Sequence, residues 1–162
     1  MKILVINGHP DKESYCQAIF QTIVETIDSN RHELKVISLN EEDFDPVLRY
    51  GYRKRMKEDS FILRSQELIQ WAEHFIFVYP IWWSSMPSLM KGWIDRVFTP
   101  GIAYSANDQG SFIWNYLRGK QFKKLLKGKT ASIYATSMAP TWWYKSFFQA
   151  LSTFQIVMVY LF

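Results

Sequence analysis

The sequence predicts a doubly wound α/β fold, with a five-stranded parallel sheet in the order 2-1-3-4-5 and helices on both faces. Short apolar runs alternate with segments whose apolar residues recur at helical spacing, as in βαβ units. These runs are nearly continuous in hydrophobicity, as expected of parallel strands covered on both faces. Crossovers between parallel strands are almost always right-handed, which restricts the strand order. The length of 162 residues predicts a single domain, 1–162.

Two strands and one helix are predicted in the first third of the chain. The apolar run 2–7 predicts the first strand, and the alternating run 33–40 predicts the second. Between them, helical spacing predicts a helix that begins after Ser14, a favourable N-cap, and ends near 28–30. Residues 41–57 are irregular and mixed in charge, so no element is predicted there.

The remaining elements alternate in the same way. They are a helix at 60–73, a strand at 74–80, a helix at 86–98, a strand at 130–136, a helix at 144–151 and a strand at 155–162. Pro87 suits the first turn of its helix. Because no helix follows the fifth strand, we expect either a partner that closes the fold or a shortened chain.

Composition and charge exclude several classes of protein. A net charge of +4 favours anionic ligands such as nucleotide phosphates, without indicating nucleic acid. Cys16 is the only cysteine, so an internal disulfide is excluded, and no Cys/His spacing indicates a metal site. No apolar run is long enough for a signal peptide or a membrane span, so we expect a soluble, cytoplasmic protein without membrane insertion.

Ligands of open α/β sheets bind beyond the carboxyl ends of the strands, where the connections change direction. Three loops lie there in this sequence, at 8–15, 80–87 and 136–144. The first leads into a helix N-terminus, whose free N–H groups attract phosphate; we expect His9 and Lys12 to add positive charge and Ser14 a hydroxyl donor. A capped βα turn without a ligand is the alternative.

Aromatic residues mark the other two loops. Trp82 and Trp83 stand in a turn, where adjacent side chains do not easily point the same way, so we expect at least one to flank a flat ligand. An isoalloxazine ring needs such a wall, together with nearby backbone N–H groups. The alternative is that they fill the core or a subunit interface. The third loop offers Thr136, Ser137 and Tyr144, or else begins an interface helix.

Three segments carry a family resemblance: "GHPDKESY" after the first strand, "FVYPIWWSSMPSLMKGWIDRVFTPGIAY" at 77–104 and "LLKGKTASIYAT" at 125–136. They resemble the flavodoxin-like NAD(P)H:quinone oxidoreductases. This group includes DT-diaphorase-type enzymes, modulator-of-drug-activity proteins and the ancillary flavoproteins of potassium-efflux systems. The resemblance covers residues 2–136, with 80–104 as its most specific part, and implies a flavodoxin-like fold.

The resemblance implies a homodimer that binds FAD or FMN non-covalently and takes electrons from NADH or NADPH. Hydride passes to the flavin and then, in the same pocket, to a quinone or similar small molecule, which implies ping-pong kinetics. Tyr144 is the implied catalytic residue, near the nicotinamide, and Trp83 is the expected wall of the ring. The implied cofactor-binding residues are His9, Ser14 and Tyr15 on the phosphate side, Pro80, Ile81, Trp82, Trp83 and Ser84 along the isoalloxazine, and Thr136 and Ser137 at the flavin.

The sequence also departs from that group. Met138 and Ala139 replace two glycines that allow close backbone approach to the ring, so we expect a narrower pocket or a shifted loop. Ala150 replaces a histidine that pairs with the tyrosine, Glu13 adds a negative charge to the phosphate loop, and a C-terminal helix is expected to be missing. The altered loop at 136–144 and the missing C-terminal helix support an alternative, a flavodoxin-like regulatory or binding subunit of the potassium-efflux ancillary type with weak or no turnover. The basic runs "YRKRMK" and "RGKQFKKLLKGK" suggest nucleic-acid or membrane-surface binding, but such runs usually form solvated faces.

Overall fold

A four-stranded parallel sheet organises residues 1–106 and 122–138, which are the residues that this computed structural model describes. Its elements are, in order, β1 (Lys2–Asn7), α1 (Tyr15–Thr26), β2 (Glu33–Ser38), α2 (Ser60–Trp71), β3 (His74–Pro80), α3 (Ser88–Val97), β4 (Tyr104–Ala106), β5 (Phe122–Lys124) and β6 (Thr130–Thr136). A 3₁₀ turn at Leu39–Glu41 follows β2. Within the described residues, no helix has both the length and the apolar character that a membrane crossing requires.

The four long strands lie in the order β2-β1-β3-β6, and every neighbouring pair is parallel. In this register Val5 of β1 pairs with Val36 on one side and with Ile76 on the other. The order matches the prediction for the first four strands of the doubly wound sheet, with β6 as the predicted fourth strand. The predicted helix at 144–151 and strand at 155–162 lie outside the described residues, so the five-stranded order stays a prediction.

Successive side chains of β1 point to opposite faces of the sheet, and both faces are covered. Ile3 and Val5 belong to a buried cluster that includes Phe20 of α1. Leu4 and Ile6 belong to a second cluster, which contains buried side chains of α2 and α3. Helices therefore lie on both faces, as the continuous apolar runs predict.

Trp93 is fully buried and links α3 to α2. Its indole Nε1 donates a hydrogen bond to Ser65 Oγ at 3.1 Å, and its ring meets Phe98 edge-on with 5.9 Å between the centroids. A buried indole needs a partner for its N–H, and the buried hydroxyl of Ser65 supplies one. This tryptophan therefore belongs to the core.

Gly92 lets α3 pass directly beside the backbone of Pro46. A Cβ built on Gly92 would lie 2.2 Å from the Pro46 carbonyl oxygen and 2.5 Å from the Pro46 Cβ. This contact holds the segment 42–59, which contains neither helix nor strand, against α3. The irregular region predicted at 41–57 is therefore confirmed, although its first residue belongs to the 3₁₀ turn.

The element boundaries differ from the predicted ones at several ends. Helix α3 begins at Ser88, with Pro87 as its N-cap, and α2 ends at Trp71. Strand β2 ends at Ser38, where the chain turns into the 3₁₀ segment. The antiparallel pair of β4 and β5 has no counterpart in the prediction, because strands of three residues carry too little periodicity to be recognised.

Replacing Gly92 by alanine should destabilise the protein, although alanine is the better helix former by about 1 kcal/mol. The new Cβ would overlap the backbone of Pro46, which does not move aside as a flexible side chain does. We expect the free energy of unfolding, measured by urea denaturation, to fall by about 1–3 kcal/mol, the usual cost of overpacking. Ser88→Ala, at an exposed position of the same helix, should change it by less than about 0.5 kcal/mol. An unchanged stability of Gly92→Ala would contradict the close approach.

Candidate functional site

The carboxyl ends of β1, β3 and β6 meet at one edge of the sheet. Asn7 at the end of β1 pairs with Val78 of β3, and Pro80 at the end of β3 pairs with Thr136 at the end of β6. The loops that follow these strands therefore begin side by side, at the edge where open α/β sheets bind ligands. We call this region the sheet-end site, and it comprises residues 8–15, 80–87 and 136–138.

Hydrogen bonds hold the loops of the sheet-end site against neighbouring strands, helices and loops. The Gly8 N–H donates to the carbonyl of Val78 at 2.8 Å, and the Ile81 N–H donates to the carbonyl of Thr136 at 2.7 Å. The Cys16 thiol on α1 lies 3.2 Å from the hydroxyl of Thr136. Each loop is thus held by a neighbouring strand or helix, which gives the site a defined shape.

The first loop rests on a buried amide at the end of β1. Asn7 Nδ2 donates to Gln17 Oε1 at 2.6 Å, and Asn7 Oδ1 accepts from the His9 N–H at 3.1 Å. The Asp11 N–H donates to His9 Nδ1 at 2.9 Å, so the neutral imidazole carries its proton on Nε2. Ser14 caps α1, as predicted, and its hydroxyl accepts from the Gln17 N–H at 3.2 Å.

The start of α1 presents backbone donors to the site. The N–H groups of Ser14, Tyr15 and Cys16 make no hydrogen bond within residues 1–106 and 122–138. Such groups at a helix N-terminus, together with the helix dipole, can bind an anion. Side chains add little positive charge there, because Lys12 already lies 3.9 Å from the carboxylate of Glu41.

The two tryptophans occupy a tight turn with unusual backbone angles. Trp82 and Ser85 exchange two backbone hydrogen bonds, of 2.8 and 2.9 Å, across the turn. The two residues between them have positive φ angles, 50° at Trp83 and 59° at Ser84. Non-glycine residues rarely adopt this left-handed conformation, and such residues cluster at functional sites. The N–H groups of Trp83 and Ser84 have no hydrogen-bond partner in the described part of the chain.

The two indole rings have different surroundings, as expected for adjacent residues in a turn. Trp82 meets the imidazole of His9 edge-on, with 5.4 Å between the ring centroids, and is about half exposed. Trp83 is fully exposed, at 101% of its reference area. Met138, which stands where a glycine was expected, is also fully exposed on the third loop. An unpacked indole at this edge leaves a flat face for a ligand.

Cys16 lies in the first turn of α1 and faces the third loop. Its side chain is buried, with 1% of its reference area exposed. Burial raises the pKa of the Cys16 thiol above its ordinary value, and the hydrogen bond with Thr136 lowers that pKa by a smaller amount. The thiol is therefore protonated and shielded near neutral pH.

The structure places the predicted cofactor-binding residues together at this one edge: His9, Ser14, Tyr15, Pro80, Ile81, Trp82, Trp83, Ser84, Thr136 and Ser137. Tyr144, Ala139 and Ala150 lie outside the described residues, and the roles of all these residues stay predictions. Sequence reasoning missed Asn7 and Gln17; the signal for Asn7 is an amide at the end of a buried apolar run, and Gln17 on α1 is recognised only by its contact with Asn7. No group of three potential metal ligands occurs in residues 1–106 and 122–138.

Known proteins similar to this chain share its fold. A family model described as a flavodoxin-like fold matches residues 1–161. The solved structure of Smu.1420 from Streptococcus mutans UA159 is 32% identical, with a TM-score of 0.71, and the match covers 88% of this chain and 71% of that one.

Two curated relatives are similar over most of this chain. The ribosyldihydronicotinamide dehydrogenase-like protein traD of Penicillium crustosum is 28% identical over 155 residues, which cover 84% of this chain and 57% of that protein. The ribosyldihydronicotinamide dehydrogenase (quinone) of Mus musculus is 27% identical over 154 residues, which cover 82% of this chain and 66% of that protein. The chain thus spans between half and two thirds of the length of these relatives.

The single thiol provides a test of the packing beneath the site. Because Cys16 is buried and its pKa is raised, Ellman's reagent should label the folded protein on the order of a hundredfold more slowly than the unfolded protein. The rates are compared at one pH, with protein unfolded in guanidinium chloride as the control for full reactivity. Equal labelling rates would contradict the contact between α1 and the third loop.

Proposed function

We propose that this chain, which belongs to the family with the flavodoxin-like fold, is a flavin-dependent oxidoreductase that carries hydride from NAD(P)H to a quinone or similar small acceptor. The proposal rests on the sheet-end site. There, an exposed tryptophan in a left-handed turn lies on the loop next to a helix start with unpaired N–H groups. These two features suit a flat ring and a phosphate, respectively.

The names of the similar proteins support the same chemistry. The Penicillium crustosum and Mus musculus relatives are both named after ribosyldihydronicotinamide dehydrogenase, and the mouse name adds a quinone. A dihydronicotinamide is a hydride donor, and a quinone accepts two electrons. Because the chain spans only part of these relatives, their names support the proposal without replacing the argument from the sheet-end site.

The residues of the sheet-end site suit a flavin. The unpaired N–H groups of Ser14, Tyr15 and Cys16 would hold its phosphate, and the exposed face of Trp83 would bound its ring. The N–H groups of Trp83 and Ser84 would donate to the polar atoms of the ring. A bound flavin supplies two-electron hydride chemistry, which no side chain offers. Both FAD and FMN, and both NADH and NADPH, are compatible with these contacts.

Other side chains would orient the ligands. The imidazole of His9, held against Trp82, offers its Nε2–H as a donor to the phosphate. Thr136 and Ser137 carry hydroxyls on the third loop, where they would donate to the ring. We propose Tyr144 as the catalytic residue, with a phenol that donates a proton to the acceptor or holds the nicotinamide.

We further propose that the functional form is a homodimer. Tyr15, Trp83 and Met138 are 75%, 101% and 106% exposed at the same edge of the sheet. Hydride transfer is best protected in a pocket from which water is excluded. A second copy placed over this edge would bury the three side chains and close the pocket around the ligands.

Substitution of the exposed tryptophan tests the flavin site. Trp83→Ala should weaken flavin binding by about 1–3 kcal/mol, because a large aromatic contact with the ring is lost. Titration of flavin-free protein would measure the affinity, and flavin fluorescence should be more strongly quenched in the unsubstituted protein. Tyr50→Ala removes an exposed aromatic side chain outside the sheet-end site and is the matched control. Equal affinities of all three proteins would contradict the role of Trp83.

Steady-state kinetics test the shared pocket. With NADPH or NADH as donor and menadione as acceptor, double-reciprocal plots should give parallel lines, because the oxidised donor must leave before the acceptor enters. Intersecting lines would mean that both substrates are bound together. Bound flavin without turnover of any quinone would instead favour a regulatory or binding subunit.

A further inference from the structure

Residues 45–59 form a long irregular segment that the proposed flavin chemistry does not use. Neither helix nor strand occurs in it, although irregular loops of more than about 12–15 residues are uncommon in compact folds and usually serve a function or a linker role. It contains the basic run "YRKRMK".

Arg96 of α3 holds both ends of this segment. Its side chain is buried, and Nη1 donates to the carbonyl oxygen of Asp45 at 2.7 Å and lies 3.5 Å from the carboxylate of Asp59. Asp59 also caps α2 by accepting from two backbone N–H groups. We call residues 45–59 the clamped segment, because one guanidinium fixes its first and last residues.

A cleft of about 540 Å³ lies between the clamped segment and the neighbouring parts of α2 and α3. This volume falls within the roughly 300–1,000 Å³ of small-molecule sites. Apolar side chains of Met56, Ile62 and Ile102 contribute to its lining. Tyr52 also lines it, and the Tyr52 hydroxyl donates to the backbone carbonyl of Asp95 at 3.1 Å, which restrains the ring.

Cations outnumber carboxylates in the cleft. Lys54, Arg55 and Lys57 line it together with Arg96, against Glu58 and Asp59. Arg96 and Asp59 lie close to each other, whereas the first three cations have no ion-pair partner in the described part of the chain. Three unpaired cations against the single carboxylate of Glu58 leave the concave surface with an excess of positive charge, which attracts anionic ligands.

We propose that this cleft is a second ligand site, which binds a free nucleotide that carries a chain of phosphates. The three unpaired cations would hold the phosphates, and Tyr52 with the apolar lining would hold the base. A cleft of this volume suits a mononucleotide better than a polymer, which needs an extended basic stripe. The lining shares no residue with the sheet-end site, so the proposal stands independently of the flavin chemistry.

Calorimetric titration of the purified full chain, with whatever flavin it carries, tests the proposal. The probes are adenosine triphosphate, inorganic triphosphate and adenosine, which separate the contribution of the phosphates from that of the base. Adenosine triphosphate should bind at least about tenfold more tightly than either of the other two, because it engages both parts of the cleft. Its affinity should fall as salt is added, because exposed charges are screened.

Charge-removing variants locate the site. Lys54→Gln, Arg55→Gln and Lys57→Gln should each weaken adenosine triphosphate binding by roughly fivefold, the effect of losing one exposed ionic contact. Lys127→Gln removes an exposed lysine outside the cleft and should leave the affinity unchanged. All four positions are exposed, so the folded state, checked by circular dichroism, should persist in every variant.

Four outcomes would overturn the proposal. The first is the absence of binding by adenosine triphosphate at millimolar concentration. The second is that Lys54→Gln, Arg55→Gln and Lys57→Gln bind adenosine triphosphate as tightly as Lys127→Gln does. The third is displacement of adenosine triphosphate by added flavin or its loss in Trp83→Ala, since either would assign the nucleotide to the sheet-end site. The fourth is tighter binding of a single-stranded RNA through the same cations, which would indicate a polymer site.

Discussion

The rest of the structure depends on β3, which pairs with β1 on one edge and with β6 on the other and is covered on both faces. Phe75 and Phe77 point into one buried cluster, and Ile76 and Val78 point into the other. A slip of one residue would move all four side chains to the wrong face, so burial fixes the register with β1 and β6. The three strands consequently end together, and the position of the sheet-end site follows from the packing of the core.

The left-handed turn at Trp83 and Ser84 persists because its surroundings hold it. Each of the two residues costs about 1–2 kcal/mol in this conformation. Two backbone hydrogen bonds close the turn. A third joins Ile81, the residue before the turn, to Thr136 at the end of β6. At about 1 kcal/mol each, they offset a cost of similar size. A ligand that accepts hydrogen bonds from the free N–H groups of the turn would therefore stabilise the conformation that binds it.

Much of the fold is predictable from the sequence, because burial of strands and helix faces appears directly as apolar runs and spacings. The details of the site depend on contacts between segments that lie far apart in the chain. His9 and Trp82 can be chosen as candidates by residue type, but their edge-on contact arises only when two loops meet. Asn7 matters because it is buried against Gln17. In the sequence, Arg96 is an ordinary cation in the last turn of a helix. Only the folded chain shows that its guanidinium contacts both the backbone carbonyl of Asp45 and the carboxylate of Asp59.

The two proposed anion sites, at the start of α1 and in the cleft of the clamped segment, differ in the source of their positive potential. At the start of α1, Lys12 lies near Glu41, and Asp11 and Glu13 lie on the same loop, so oriented backbone N–H groups supply the attraction. The clamped segment instead carries five cations and three carboxylates, a net +2 that is half of the net charge of +4 of the whole chain. Exposed side-chain charges are screened by salt more strongly than groups in a partly buried pocket. As the salt concentration rises, the affinity of the proposed cleft site for phosphate should therefore fall more steeply than the affinity at the start of α1.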